Sequence, residues 1–329
     1  MDKVFSFNSE LHKVTGVQRV LLDIHSAIKD NYEAKIVGFR SYKQVNKNLG
    51  IIRGEYVAWR NPLMFYNSIV LLHERKFLVL FWLLNTFLFQ RIKIVYIHHN
   101  LLFGHKLLSI MPKCVVCIAD KGKKNLIDEF RVPQDNIHKI YNCTRDTCIR
   151  HSLIPHKDVI RILYPARINE TKRQLELVEN LNGKIHKNVK ILFAGDGPLY
   201  EPLINKVGDN NPNFCCLGFV SDIQELMMEC DYVMLFSKHE GLPVSLIEAT
   251  MIGIPIICND VGGNEEIAFN GENAIVINEW NELLVTLNSL SQIDNGKYSS
   301  MCKKGREIFE LNFTYERFKK QYLNLLDSL

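Results

Sequence analysis

No apolar stretch of the 329-residue chain is long enough to cross a bilayer. The longest, Phe77 to Phe89, runs for thirteen residues with only Asn85 and Thr86 as polar interruptions, between His73-Glu74-Arg75-Lys76 and Arg91. A spanning helix needs about twenty. The stretch is expected to be a buried helix, a membrane-dipping face being the second reading, and nothing in it provides a permanent anchor. The opening Met1-Asp2-Lys3-Val4 has no signal-peptide pattern, and the nine cysteines, an odd number, fall mostly in apolar strand-like runs. That usage points to reduced thiols and a cytoplasmic location. Zinc-finger spacing is absent: Cys114 and Cys117 would face opposite sides of a strand, with only Cys143 and Cys148 close in sequence, which argues against four convergent ligands. No RNP-like aromatic strand is present either, so nucleic acid is not an expected partner. Gly195-Asp196-Gly197-Pro198 is followed by Leu199, Tyr200 and Glu201 where a dinucleotide fingerprint needs a third glycine. Finally, no two aspartates lie two positions apart.

What is there is ordinary in bulk and uneven in detail. A composition of 47% hydrophobic and 23% charged residues over this length suits a soluble protein with two cores. Residues 1–150 hold 23 lysines and arginines against 12 acids, a net of +11, whereas residues 151–329 hold 17 against 24, a net of −7. The basic half suits an anionic membrane surface or an anionic acceptor, with a merely solvated basic domain as the plain alternative.

Strand-like runs recur at residues 4–7, 35–39, 92–97, 114–119 and 138–141, and again at 159–164, 190–194, 232–236 and 254–258, with helical stretches between them. Such alternation predicts parallel sheets covered on both faces. The polar stretch 146–157 reads as a linker, which gives domains at 1–152 and 153–312.

One βαβ unit organises the second half. The run Tyr232 to Phe236 feeds the loop Ser237-Lys238-His239-Glu240-Gly241-Leu242. Pro243 then opens a helix carrying Glu248, and Ile254 to Cys258 returns as a strand. The loop lies at a strand's carboxyl end, where open parallel sheets bind ligands, and the helix start attracts phosphate. Two carboxylates eight positions apart beside a phosphate site suit a nucleotide sugar, hydroxyls on the acids and diphosphate on the amides. A capping Glu240 and a solvated Glu248 are the plain alternative. Upstream, the strand 159–164 delivers Arg167, and Thr171 is expected to cap a helix whose first turn holds Lys172. Those two cations form a candidate diphosphate clamp. In the first half, Gly16 separates a strand from a helix, and His98-His99-Asn100 ends another strand. His99, next to the turn, is expected to point out more freely than His98.

The stretch Glu240 to Glu248, continued by Asn259-Asp260-Val261-Gly262-Gly263-Asn264-Glu265-Glu266 and Asn270-Gly271-Glu272-Asn273, resembles the Glu-x7-Glu signature of the retaining glycosyltransferases of family 4. The likeness is dense over residues 159–275 and thin over 1–150. It implies an α/β protein of the GT-B fold, two Rossmann-like domains with a cleft between them, the last helix (313–329) crossing back to the first. It further implies Glu240 on the donor sugar, Glu248 on the ribose, Gly241, Leu242 and Pro243 at the phosphates, and Arg167 with Lys172 on the diphosphate. His99 would approach the sugar from the first domain. Gly16, Gly195 and Gly197 match the family's glycine turns, and amides near Phe219 would meet the base. Departures stand at Thr15, Cys143 and Ala274, where glycine is usual. Since the Asp-x-Asp metal site of the other major glycosyltransferase fold is missing, no metal and no cofactor are expected. The activity implied is retaining transfer from a nucleotide sugar, UDP-sugars favoured, to a glycan or lipid-linked acceptor in surface polysaccharide synthesis. A sugar-nucleotide epimerase on the same fold and an inactive sugar-binding scaffold remain alternatives.

Overall fold

The computed structural model describes residues 2–102, 104, 109–148, 150–155 and 158–329. Ile149, His156 and Lys157 of the expected linker, and Met1, lie outside the described residues. The chain divides into two compact units, Met1–Cys143 with Tyr315–Leu329, and Thr144–Thr314. The division therefore precedes the expected 152/153 boundary. Thr144 bridges to Thr314 and donates its amide to the Phe313 carbonyl, and the His151 amide donates to the Ile252 carbonyl, so the segment after Cys143 already packs with the second unit.

The first unit holds seven parallel strands: β1 (Lys3–Phe7), β2 (Glu33–Gly38), β3 (Tyr56–Ala58), β4 (Ser68–Leu72), β5 (Ile92–His98), β6 (Cys114–Cys117) and β7 (Ile137–Lys139). They line up as β3-β2-β1-β4-β5-β6-β7. Successive side chains of one strand feed opposite cores. Ile69 and Leu71 join Val4, Val95 and Tyr322 on one face, whereas Val70 and Leu72 join Phe5, Phe7 and Phe81 on the other. Both faces are covered, which is why β4 is five apolar or small residues in a row, all buried, with no polar alternation. Helices α1 (Gly16–Ile28), α2 (Leu78–Phe87) and α3 (Asp120–Phe130) come from this stretch.

The second unit adds β8 (Ile160–Pro165), α4 (Gln174–Leu181), β9 (Val189–Ala194), α5 (Tyr200–Val207), β10 (Phe214–Gly218), α6 (Ile223–Met228), β11 (Tyr232–Leu235), α7 (Val244–Ile252), β12 (Ile256–Cys258), β13 (Ala274–Val276), α8 (Trp280–Ser289) and α9 (Asn295–Asn312). Its parallel sheet runs β10-β9-β8-β11-β12-β13. Helix α10 (Tyr315–Asp327) belongs to the first unit, where Phe318, Tyr322 and Leu325 enter the core and Asp327 accepts from the Tyr32 hydroxyl.

The strand order fixes where ligands can sit. After β10 the chain returns to place β11 beside β8, so the crossovers diverge there and leave a crevice at the carboxyl ends of β8 and β11. The same reversal separates β1 from β4 in the first unit.

The helix expected to be buried at residues 77–89 is covered on one side only. Leu78, Phe81 and Leu88 are buried, while Trp82, Leu83, Phe87 and Phe89 are exposed. Among the described residues no helix is long and apolar enough to cross a membrane. All nine cysteines are free thiols.

Candidate functional site

The loop after β8 carries the two cations. Arg167 is exposed and its guanidinium makes no ion pair among the described residues. Its backbone is set by Gly195 and Gly197. A Cβ on either would stand 2.1 Å from the Ala166 carbonyl oxygen or 2.2 Å from that of Ile168. The room these two glycines leave is filled by protein backbone, so they shape the Arg167 loop instead of opening a path for a ligand. The expected cap is also displaced. Asn169, not Thr171, accepts the Lys172 amide at 3.0 Å, closing a short 3-10 turn over Glu170–Lys172. Arg173 then adopts φ 57°, and α4 starts beyond it. The Arg173 guanidinium lies over the Trp280 and Phe236 rings and bonds Glu176 at 2.9 Å.

The loop after β11 is tied to that turn at several points. The Tyr164 hydroxyl donates to the Lys172 carbonyl and accepts the Phe236 amide at 3.0 Å, and its burial pushes the phenol above its usual range. Lys238 donates its amide to the Thr171 carbonyl at 2.7 Å and pairs its ammonium with Glu176 at 2.7 Å. Ser237 and Asn259 exchange two hydrogen bonds, of 3.0 and 2.7 Å.

These ties bring the separate motifs together. The Lys172 Nζ stands 2.5 Å from Glu240 Oε1, the lysine side chain 21% exposed and the glutamate 7%. An ammonium has three donors, so the bond to Glu240 leaves two for another oxyanion. Glu240 is held from behind by Gly262, at φ 58°, whose Cβ would lie 2.0 Å from the Glu240 carbonyl oxygen, and by Gly263, whose amide donates to Gly241 at 2.6 Å.

Pro243 is the N-cap of α7, one position earlier than expected, and Val244 is its first residue. Proline has no N–H and no side-chain cap is made, so the first free amides of the helix are those of Val244 and Ser245. Leu242 is buried. Glu248, the fifth residue of α7, is buried, with Gln224 Nε2 3.5 Å from Oε1. Phe219 lies 65% exposed just past β10.

In the first unit, Gly16 is the first residue of α1, capped by Thr15 in a box with Gln18, and nothing lies within 4 Å of where its Cβ would be. The expectation for His99 is corrected. It does not point out freely: it is buried, stacked on His73, its Nε2 3.0 Å from His73 Nδ1. Desolvation lowers His99 to about 3 and buried His98 to about 4, so both imidazoles are neutral near pH 7. The partner His73 escaped the sequence reading because the strand before it, β4, did.

Among the described residues no three His, Cys, Asp or Glu side chains gather as a metal site. The arrangement at β8 and β11 offers two cations, free amides and two buried carboxylates, a set suited to an anion that also carries hydroxyls.

Residues 146–307 match the family model described as glycosyl transferases group 1. The chain is 35% identical over 127 residues to the putative glycosyltransferase EpsD of Bacillus subtilis, covering 37% of this chain and 33% of that protein. It is 24% identical over 232 residues to the capsular polysaccharide biosynthesis glycosyltransferase CapH of Staphylococcus aureus, covering 66% and 62%. The chain thus spans a third of the first of these relatives and about three fifths of the second. The crystal structure of Anabaena Alr3699/HepE in complex with UDP superposes with a TM-score of 0.85 at 19% identity over 100% of both chains. That likeness shows the fold, two Rossmann-like units of the GT-B type. The group 1 match covers the whole β8–β11 site.

Proposed function

We propose that the chain is a retaining, metal-independent glycosyltransferase. It moves a sugar from a nucleotide sugar, a UDP-sugar in the first instance, to a glycan or lipid-linked acceptor in surface polysaccharide synthesis. The observation that carries this reading is the Lys172–Glu240 pair at the β8–β11 crevice, with Arg167 exposed on the same loop as Lys172 and the bare amides of α7 following Glu240. A departing diphosphate needs its charge met, and preorganised cations and amides do that without reorganising. Arg167, the two remaining Lys172 donors and the Val244 and Ser245 amides supply it. Drawing Lys172 toward a phosphate frees Glu240 to accept from donor-sugar hydroxyls, and Glu248 takes the ribose. Relatives named for capsular polysaccharide and O-antigen synthesis, and HepE structures holding UDP and UDP-glucose, agree with this donor and acceptor class. Nine free thiols agree with a cytoplasmic setting.

The test is UDP release from UDP-glucose, UDP-galactose and UDP-N-acetylglucosamine with a bacterial lipid extract as acceptor. Glu240→Gln should lower release about a hundredfold while UDP affinity is kept. Undiminished release refutes the role of Glu240. An epimerised nucleotide sugar formed without any acceptor refutes transfer itself.

A further inference from the structure

We propose that the outward face of α2 and the turn after it is a docking surface for an anionic lipid bilayer. Leu78, Phe81 and Leu88 face the core, at helical spacing, and Leu80, Leu83 and Phe87 share the opposite face with Trp82. Exposure there is large: Leu80 41%, Trp82 45%, Leu83 54%, Phe87 72% and Phe89 84%. The polar groups of this stretch are already engaged. Thr86 Oγ1 donates to the Trp82 carbonyl at 3.0 Å, and Asn85 Oδ1 accepts the Ile92 amide at 2.8 Å. The surface therefore presents hydrocarbon and indole with no charge among them.

The turn is strained in a way that increases the exposure. Phe89 and Gln90 both sit at positive φ, 55° and 58°, a region bulky L-residues rarely adopt. Asn85 fastens this turn, its carbonyl taking the Gln90 amide at 2.7 Å. Phe89 is thus held outward by a backbone that its own side chain disfavours, which is the pattern of strain kept for use.

Charge decides the occupant. From Arg75 to Ala119 the sequence has no aspartate or glutamate; Lys76 is paired with Glu74 at 2.8 Å, which leaves Arg75, Arg91, Lys93 and Lys113 as the described cations of this stretch. A helix of ten residues cannot span a membrane but can lie in its interface, aromatic side chains in the acyl boundary and flanking cations on anionic headgroups. An apolar protein partner would leave that one-sided charge unanswered.

Flotation of the full chain with phosphatidylcholine vesicles, with and without phosphatidylglycerol, tests the surface. Binding is expected only with phosphatidylglycerol, weakening as salt is raised. The triple variant Leu83→Gln, Phe87→Gln, Phe89→Asn, all at exposed positions, should lose at least tenfold in partition with an unchanged melting temperature. Trp82 fluorescence should shift to the blue on the anionic vesicles, a shift absent in Trp82→Phe. Equal partition of the triple variant and the parent, or a parent dimer that the triple variant abolishes without any change in vesicle binding, overturns the proposal. No sugar donor enters these measurements, so their failure leaves the glycosyl-transfer reading untouched.

Discussion

An alanine at position 262 would place its Cβ 2.0 Å from the Glu240 carbonyl oxygen, on a backbone already at φ 58°. Neither obstacle can relax cheaply, because the neighbour is backbone and the left-handed region costs an L-residue about 1–3 kcal/mol. Gly262→Ala should therefore lower the second unit's melting temperature and weaken UDP-glucose binding more than tenfold, since the loop carrying Glu240 must shift. Calorimetric melting and titration check both, and a variant with parental affinity would show that the Glu240 loop is not held this way. Gly16 is the contrast: with open space around its missing Cβ, no protein contact demands a glycine there. Arg167, Lys172 and Glu240 could be picked out from the sequence because each is a charged residue in the loop or helix start that follows a strand. Gly262 matched a turn motif, but its steric duty toward Glu240 is visible only once the two loops are adjacent.

At the scale of elements, Tyr164 couples the β8 and β11 loops through one hydroxyl. Removing it leaves the buried Phe236 amide without an acceptor, a loss of about 1–3 kcal/mol. Tyr164→Phe should show that loss in denaturant unfolding, and an unchanged midpoint would mean that the loops are held elsewhere. The alternation of strands and helices gave the parallel sheets in advance, and the βαβ unit around Glu240 was legible nearly to the residue. Strand β4 was not, because a five-residue apolar run has no period that separates strand from helix. Helix α2 was legible as a helix and misjudged in its burial: an apolar run does not state which of its faces finds a neighbour. The cap at Asn169 was missed for a related reason. Thr171 is an equally acceptable cap by type, and the left-handed Arg173 that sets the helix start back has no sequence signature.

At the scale of the whole molecule, buried histidine among the described residues is concentrated in the first unit. Burial lowers His25, His73, His98 and His99, the last two to about 4 and about 3. In the unfolded chain these imidazoles titrate near 6.5, so below that pH the unfolded state binds more protons and stability is lost as pH falls. Each such group contributes up to about 1.4 kcal/mol per pH unit. The first unit should therefore melt markedly lower at pH 5.5 than at pH 7.5, with little change above 7.5, and a pH-independent transition by scanning calorimetry would contradict these burials. The central claim is that fixed cations on the β8 loop grip a nucleoside diphosphate, and isothermal titration with UDP in buffer containing EDTA tests it most directly. The account predicts binding by the parent and at least a tenfold loss in each of Arg167→Ala and Lys172→Ala. Binding that needs a divalent ion, or parental affinity in both variants, would contradict it.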